Sequence, residues 1–491
     1  MVCVGCPTES FHTLEDVAYI NGIALDQLLE ELRESIKNKI ITTERRKPCF
    51  VFSARKRPET PVAPSKACAA SRRRPRISKT CSFTCARGFR FTVSLVCATP
   101  SQAAKYIVLS WNDLGMHCYN RDFRDLAVLP PFNNLWAQVV EIGDPPRIVT
   151  EGITVTYRFP NNTYSVGKSN FWDYDQQLFG VNLPANIGLT GKGLSGLMDK
   201  AGDHFIAEGI PLTEFQDSAP TTPYPYQLAS IVVRDISTNS ILTSQTTVAP
   251  VSTEMRCVNC HHDGGVEGIV TGRVETNILT LHDEENSDEY PAGHTGLLMQ
   301  RRPVLCAECH ASNALNAPGV AGIPNLSRAT HKKHAGEVAQ TFDGCYLCHP
   351  GPQTKCLRGV MSNKYGMDCI DCHGNMDAVG NNPSPWLNEP RCDTALCHGS
   401  RYVQDKILYG MSKSHGGIYC AACHDSPHAI ALSGEPKDAI KFIALQGRAG
   451  TLAKCTVFHA SQPKAPGPHG IVGSTIPLPP SIYLPLILKG Q

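Results

Sequence analysis

The sequence predicts a mixed fold in which an antiparallel β domain, residues 105–250, precedes a loop-rich region with short helices, residues 251–470. Two observations support this prediction. The first region contains several strand-like stretches bounded by Gly, Pro and Asn. The second region shows no helical apolar period that persists over many turns, and proline-containing runs such as 463–468 interrupt it.

Four stretches of the first region carry the β-branched and aromatic side chains that favour strands. Glycine, proline and asparagine residues near their ends indicate turns. The stretches are Lys105–Trp111, Trp136–Ile142, Ile153–Phe159 and Gln227–Ile236. Together they predict an antiparallel sheet structure for this region.

The second region is dominated by cysteine and histidine. The chain has 491 residues with 22 Cys and 18 His, and fourteen of the Cys lie between Cys257 and Cys455. Five segments there read Cys-x-x-Cys-His, whereas chance would give about 0.04 copies in a chain of this composition. The five motifs are Cys257-Val258-Asn259-Cys260-His261, Cys306-Ala307-Glu308-Cys309-His310, Cys345-Tyr346-Leu347-Cys348-His349, Cys369-Ile370-Asp371-Cys372-His373 and Cys420-Ala421-Ala422-Cys423-His424.

This motif is the attachment signature of c-type haem. Its two thiols add to the two vinyl groups of one haem, and the adjacent histidine is placed beneath the iron as the proximal ligand. Zinc ribbons and thioredoxin-like dithiols also use Cys-x-x-Cys pairs. Zinc ribbons do not need a histidine after every second cysteine, however, and a dithiol oxidoreductase does not need five copies. The sequence therefore predicts covalently bound haem c, with iron as its metal.

A sixth motif has a longer spacing. Four residues separate Cys392 from Cys397, and His398 follows directly. The longer gap can bulge out as a loop while both sulfurs reach the vinyl groups, which resembles the widened motifs of small tetrahaem cytochromes. The alternative is a disulfide or a pair of free thiols.

A seventh segment lacks one thiol. Cys455 and His459 have the spacing of the motif, but Phe458 occupies the position of the second cysteine. A haem held by one thioether, a site that has been lost and a single-base change from a cysteine codon all explain this sequence. The prediction is therefore six haems, or seven if this segment holds one.

Each iron needs a second axial ligand, and unused histidines are numerous enough to supply it. Methionine would raise the potential, but it is scarce near the motifs, so bis-histidine iron of low potential is favoured. An isolated histidine is equally explained as a solvated surface residue, and this interpretation fits His469 best. The candidate distal ligands are His262, His282, His294, His331, His334, His415 and His428, together with His117 of the first region.

The spacing of the motifs predicts a compact, haem-packed region. The six motifs begin at 257, 306, 345, 369, 392 and 420, so 49, 39, 24, 23 and 28 residues separate successive starts. A domain with its own apolar core usually needs at least about 50 residues. The haems themselves are therefore expected to form the core, and their close packing would allow electrons to pass between them.

Two cysteines of this part of the chain lie outside the motifs. Cys118 follows His117 in the first region, and Cys356 lies between the third and fourth motifs. They are the only non-motif cysteines in residues 105–454. They are therefore candidates to pair with each other.

Export from the cytoplasm is expected, because bacteria attach haem covalently outside the cytoplasmic membrane. Residues 87–104 resemble a signal peptide, with Arg87 and Arg90 before an apolar run and small residues suited to cleavage. This segment is too short for a membrane anchor. A periplasmic, extracellular or cell-surface location is therefore predicted.

The segments before it fit an exported protein poorly. Residues 1–43 have leucines at helical spacing and a Cys3–Cys6 pair that no histidine follows, so this pair is not a haem site. Residues 44–86 form a basic linker, which we interpret as solvated and disordered rather than as binding nucleic acid. This combination suggests a gene fusion or a misplaced start.

Residues 471–491 form a proline-rich apolar tail. The apolar run is far shorter than the roughly 20 residues that span a bilayer, and its prolines exclude a regular helix, so no transmembrane anchor is predicted. The tail is expected either to pack on its own subunit, to fray, or to add Ser481–Leu488 as an edge strand to a neighbouring copy.

The motifs, together with Trp111-Asn112-Asp113-Leu114-Gly115-Met116-His117-Cys118, resemble the multihaem c-type cytochromes of metal-respiring anaerobic bacteria over about residues 105–470. The resemblance implies periplasmic or extracellular electron transfer in anaerobic respiration, with a redox partner protein or an extracellular acceptor. It also implies a homo-oligomer or filament. Residues 1–43 resemble part of a small helical domain of unknown function.

The alternative function is a multihaem oxidoreductase of the nitrite, hydroxylamine or tetrathionate type, in which one haem keeps an open distal face for substrate. The chain has no Cys-x-x-Cys-Lys motif, and its spare histidines are numerous enough to close every iron. An electron carrier is therefore favoured over an enzyme. A storage or scaffold protein would share the haems but would exchange no electrons with a partner.

Overall fold

The computed structural model describes residues 80–84, 90–94, 105–339, 341–406 and 408–470. The predictions for residues 1–43 and 471–491, and most of those for residues 44–104, lie outside the described residues. Within residues 23–104, which form a unit of their own, strands β1 and β2 pair in antiparallel fashion. These strands are Thr80–Thr84 and Arg90–Ser94.

The part of the chain from residue 105 onwards begins with a β-rich region. Its two larger sheets have five strands each, in the orders β10-β11-β6-β3, with β7 beside β6, and β4-β15-β14-β8-β9. Their pairs are antiparallel except for β4 and β15. The strands are β3 Tyr106–Trp111, β4 His117–Cys118, β5 Leu126–Ala127, β6 Asn133–Glu141, β7 Arg147–Ile148, β8 Ile153–Arg158, β9 Ser195–Leu197, β10 Asp199–Ala201, β11 His204–Ile210, β12 Phe215–Gln216, β13 Ala219–Pro223, β14 Tyr226–Asp235, β15 Ile241–Ser252 and β16 Val304–Leu305.

All four stretches predicted from the sequence are strands, namely β3, β6, β8 and β14. Two further long strands, β11 and β15, were not predicted. The middle of β15 reads Thr-Ser-Gln-Thr-Thr, which has no apolar alternation to indicate a strand. It forms nonetheless because its backbone pairs with β14 along most of its length.

The two sheets pack face to face through one apolar core. Val108 of β3, Leu135 and Ala137 of β6, and Val155 and Ile231 of the opposite sheet are all fully buried in it. The alternation along a strand sends every second side chain to this face. The core therefore explains half of the apolar positions in β3 and β6.

The other half of β3 faces the second region. Ile107, Leu109 and Trp111 belong to a separate buried cluster with Tyr419 and Phe442, among other side chains of residues 409–458. Gln138 of β6 adds polar contacts here, because its amide donates to Gly417 O and accepts from Tyr419 N. This sheet is therefore buried on both faces and directly supports the chain around the last motifs.

Residues 251–470 consist of loops and short helices. The longest described helix there has 13 residues. The α-helices of the whole described chain are α1 Asp175–Phe179, α2 Val258–His261, α3 Val274–Asn286, α4 Leu326–His334, α5 Phe342–Cys345, α6 Val360–Tyr365, α7 Cys369–His373, α8 Met376–Asn381, α9 Cys420–His424 and α10 Ile440–Gln446. A mixed fold with mainly antiparallel sheets and several short helices is thus confirmed.

Few apolar side chains are buried in the first half of this region. Among the described residues between 257 and 400, the buried apolar side chains are those of Leu279, Leu298, Val304, Ala307 and Val338. About 140 residues cannot be held together by so small a core.

In the described residues, no helix is both long and apolar enough to cross a membrane.

The cluster between the sheet and residues 409–458 can be tested with Leu109→Ala. Leu109 is 1% exposed, so its truncation should lower the free energy of unfolding by about 2–5 kcal/mol. The control is Leu114→Ala, because Leu114 is 50% exposed and should change stability by less than about 0.5 kcal/mol. Denaturant unfolding measures both. Equal effects of the two substitutions would contradict the packing described here.

Candidate haem-binding sites

We number the candidate sites 1 to 7 in chain order, so the widened motif is site 5 and the segment Cys455–His459 is site 7. In sites with the ordinary spacing, the motif forms one turn, in which the histidine N–H donates to the carbonyl oxygen of the first cysteine. The donor–acceptor distances are 2.9 Å for His261–Cys257, 3.0 Å for His310–Cys306, 3.0 Å for His349–Cys345 and 2.9 Å for His459–Cys455. This turn brings the first cysteine and the histidine close together.

The widened motif of site 5 closes in the same way. The His398 N–H donates to the carbonyl oxygen of Cys392 at 3.0 Å although five residues lie between them. The additional residues bulge outwards, and Leu396 is 82% exposed. The bulge that the sequence predicted therefore leaves the ends of the motif in the usual arrangement.

Site 7 replaces its second thiol with an aromatic ring. Phe458 packs against the buried cluster beneath β3 and β6, and its carbonyl oxygen accepts from the Gly143 N–H at 3.3 Å. The loop after β6 also contacts His459 through the side chain of Asp144, 3.2 Å from Nδ1. Only Cys455 can form a thioether here, but the histidine is still held.

Six of the seven motif histidines lie opposite a second histidine. None of the partners is close to its motif in sequence, and all six pairs have nearly the same separation between ring centres. The pairs are His261–His334 at 6.2 Å, His310–His282 at 6.3 Å, His349–His331 at 6.0 Å, His373–His428 at 6.3 Å, His424–His469 at 6.1 Å and His459–His415 at 6.1 Å.

This separation suits two axial ligands of one metal ion. An imidazole nitrogen lies about 2.0 Å from the metal it binds, and the ring centre lies about 1.1 Å behind that nitrogen, so two opposed rings have centres about 6.2 Å apart. Porphyrin supplies four further nitrogens, so a haem iron takes two protein ligands. The residues present therefore fit haem iron at six sites.

The orientation of several paired rings also suits ligation. The Nδ1 atom of His331 lies 2.8 Å from Ser327 O, that of His334 lies 2.7 Å from Thr330 O, and that of His310 lies 2.8 Å from Pro324 O. A proton donated from Nδ1 to these oxygens leaves the Nε2 lone pair free for a metal. Further Nδ1 contacts join His282 to Tyr290, His424 to Thr451, His428 to Cys356 and His459 to Asp144.

Burial favours the neutral form, which a metal requires, for several of these imidazoles. Burial, together with the neighbouring His331, His428 and His373, lowers the pKa of His349 to about 4. Burial likewise lowers the pKa of His424 to about 4, with His469 adding to the effect. A protonated imidazole has no lone pair to donate, so a lowered pKa favours ligation at neutral pH.

Thiols of neighbouring sites lie close enough to interact electrostatically. Burial, together with the neighbouring Cys257 and Cys260, raises the pKa of the Cys348 thiol to about 11. Other interacting pairs are Cys257–Cys306, Cys345–Cys369, Cys372–Cys397 and Cys392–Cys420. Sites 1 to 6 therefore follow one another in space, in the order 2, 1, 3, 4, 5, 6.

Site 5 differs from the others. Among the described residues, no second histidine ring lies opposite His398. Its ring lies 5.7 Å from that of Tyr402, which in turn lies 5.0 Å from that of His469 in site 6. Tyr402 lies close to His398 in sequence and has no imidazole, and His469 already lies opposite His424 in site 6. Neither contact therefore gives His398 a second imidazole.

Three of the candidate distal ligands are not brought opposite a motif histidine. His117 is buried in β4, and its Nε2 lies 2.8 Å from Asp113 Oδ1. His294 accepts from the Arg301 guanidinium at 2.7 Å, and the exposed His262 contacts Val258 O through Nδ1. The other five candidates, His282, His331, His334, His415 and His428, all occupy pairs.

His469 is a candidate distal ligand that the sequence analysis did not predict. We interpreted it as a solvated residue because it stands alone in a proline-rich segment, 45 residues after His424. The structure instead makes it half-buried and places it opposite His424. No local pattern marks this partnership, because it depends on how the chain returns to site 6.

Comparison of the chain with family models, with curated proteins and with solved structures gives no match. In the ranges that the structure describes, no group of three or more His, Cys, Asp or Glu side chains is arranged to hold a bare metal ion.

The histidine pairs predict a local effect of His331→Ala in the haem-loaded protein. Loss of one axial ligand should turn about one haem per chain from low-spin to high-spin iron, which electron paramagnetic resonance detects. His262→Ala is the matched control, because His262 occupies no pair and should leave the spectrum unchanged. A high-spin signal of the same size in both variants would contradict the pairing of His331 with His349.

Proposed function

We propose that this protein is an electron carrier of the multihaem c-type cytochrome class. It binds haem c covalently at sites 1 to 6, and site 7 binds a seventh haem through Cys455 alone. The observation that carries this proposal is the set of six histidine pairs at 6.0–6.3 Å, each of which includes a motif histidine. Neither a zinc ribbon nor a dithiol enzyme requires such pairs.

The protein side chains divide the work at each of the six paired sites. The cysteines would form the thioethers, the motif histidine and its partner would bind the iron, and polar groups on Nδ1, among them carbonyl oxygens, would orient several of the rings. Bound haem supplies a one-electron centre whose potential depends on these ligands and on burial. Two histidine ligands leave little room for a substrate, which favours electron transfer over catalysis at the paired sites.

The small apolar core of residues 257–400 supports the same proposal. Large apolar groups are needed where few apolar side chains are buried, and the five porphyrins of sites 1 to 5 would supply them. The order of the sites in space then gives a continuous row rather than isolated centres. Electrons entering at one end can therefore pass from site to site to the other end.

The location and partners follow from the attachment chemistry and from the resemblance given above. The protein acts in the periplasm or at the cell surface, and it exchanges electrons with redox proteins or an extracellular acceptor. Assembly into a homo-oligomer or filament would extend the row of sites beyond one chain. Nucleic acid has no part in this function.

The haem count tests the proposal. Intact mass after export and haem maturation should show seven haems per chain, and a pyridine haemochrome assay should give the same number. Cys455→Ser should remove one haem, because it deletes the only thiol of site 7, whereas Phe458→Cys should keep all seven and add a thioether. Fewer than six haems in the unmodified protein would refute the proposal.

Site 5 favours a second candidate function, a multihaem oxidoreductase of the nitrite, hydroxylamine or tetrathionate type. Such an enzyme keeps one haem accessible to substrate on its distal side. His398 is the motif histidine that lacks an opposed histidine among the described residues, and Leu396 and Val403 near it are exposed. A small ligand could therefore reach this iron alone.

Carbon monoxide distinguishes the two candidates, because bis-histidine haems bind it poorly. The second candidate predicts about one carbon monoxide per chain in the reduced protein, bound at site 5. In His331→Ala the number should rise by about one, which provides an internal control for detection. No binding to the unmodified protein would exclude an accessible haem and leave the electron carrier.

A further inference from the structure

The two non-motif cysteines of residues 105–454, Cys118 and Cys356, lie on segments that run side by side. Cys118 ends β4, where it is in register with Ser252 of β15. The Ser252 hydroxyl lies 3.1 Å from the hydroxyl of Thr354, two residues before Cys356. The end of β4 and the loop around Cys356 are thus joined through the same residue of β15.

A second set of contacts joins the same two segments further along. The Arg358 guanidinium donates to the carbonyl oxygen of Gly115, three residues before Cys118. Between these contacts, Cys356 packs against the buried cluster that contains Met116. Residues 115–118 therefore lie along residues 354–358, with contacts on both sides of the two cysteines.

In the structure both cysteines are half-buried free thiols, so the sulfur–sulfur bond is not formed there. The contacts on both sides nevertheless hold the two segments next to each other.

We propose that Cys118 and Cys356 form a disulfide that fastens the β-rich region to the loop between sites 3 and 4. Each thiol loses one proton and one electron as the sulfur–sulfur bond forms. A disulfide of another molecule accepts the two electrons and two protons through thiol–disulfide exchange and leaves as two thiols. Oxidising conditions outside the cytoplasm favour this reaction.

The bond joins cysteines 238 positions apart, and the loop that it closes contains most of the β-rich region and sites 1 to 3. Closing so long a loop removes much of the entropy of the unfolded chain. It also fixes the Cys356 sulfur, which lies 3.7 Å from Nδ1 of His428 in the site 4 pair. Cys356 is therefore a positioning residue for that ring as well as a cross-link.

Peptide mapping of the full-length, haem-loaded protein tests the inference. After denaturation without reductant, alkylation should leave both cysteines unmodified, and digestion should give one peptide that contains Cys118 and Cys356. Reduction before alkylation should separate this peptide into two alkylated ones. Alkylation of both cysteines without prior reduction would overturn the inference.

Thermal unfolding supplies an independent measurement. A thiol reductant should lower the midpoint of the unmodified protein by roughly 5 °C or more, because thioethers survive reduction and the disulfide does not. Cys118→Ser should show the lowered midpoint without reductant and no further response to it. A reductant effect that persists in Cys118→Ser would overturn the inference.

The inference and the proposed function can fail separately. A protein with its haems but with two free thiols would overturn only the disulfide. A linked peptide from a protein without haem would overturn only the electron-carrier proposal, because the cross-link needs β4 and the Cys356 loop rather than any iron.

Discussion

The burial of both faces of one sheet is the constraint on which the rest of the structure depends. β3 and β6 send alternate side chains to the core between the sheets and to the cluster with residues 409–458. A strand buried on both sides cannot shift by one residue without exchanging its two faces. The sheet therefore fixes the chain around Tyr419, and with it the start of site 6, relative to the β-rich region.

Away from this sheet, where few apolar side chains are buried, polar and ionic contacts hold the loops in place. Buried Arg358 pairs with Asp438 and also reaches Gly115, while Asp125 accepts from both Arg273 and Arg302. Such contacts connect the loops of the second region to the first. They orient the loops but contribute no apolar packing, which is the contribution that we propose for porphyrin.

The strands were predictable where apolar and polar residues alternate, as in β8 and β14. β11 and β15 were not predicted, because backbone pairing and tertiary packing outweigh their weak local pattern. The residues of the candidate sites also divide into those that the sequence marks and those that it does not. The spacing of cysteines and histidines marks every motif, including the widened one, whereas His469 has no local signature and was interpreted as a surface residue.

The sequence by itself determined the chemistry of the motifs, because two thiols and an imidazole within one turn of chain are a local arrangement. Only the tertiary structure decided which histidine lies opposite which, since partners such as His261 and His334, or His373 and His428, are 73 and 55 positions apart in the sequence. It also decided the spatial order of the sites and the position of His398 apart from the pairs. Loop paths depend on packing against the sheets, and no spacing in the sequence records them.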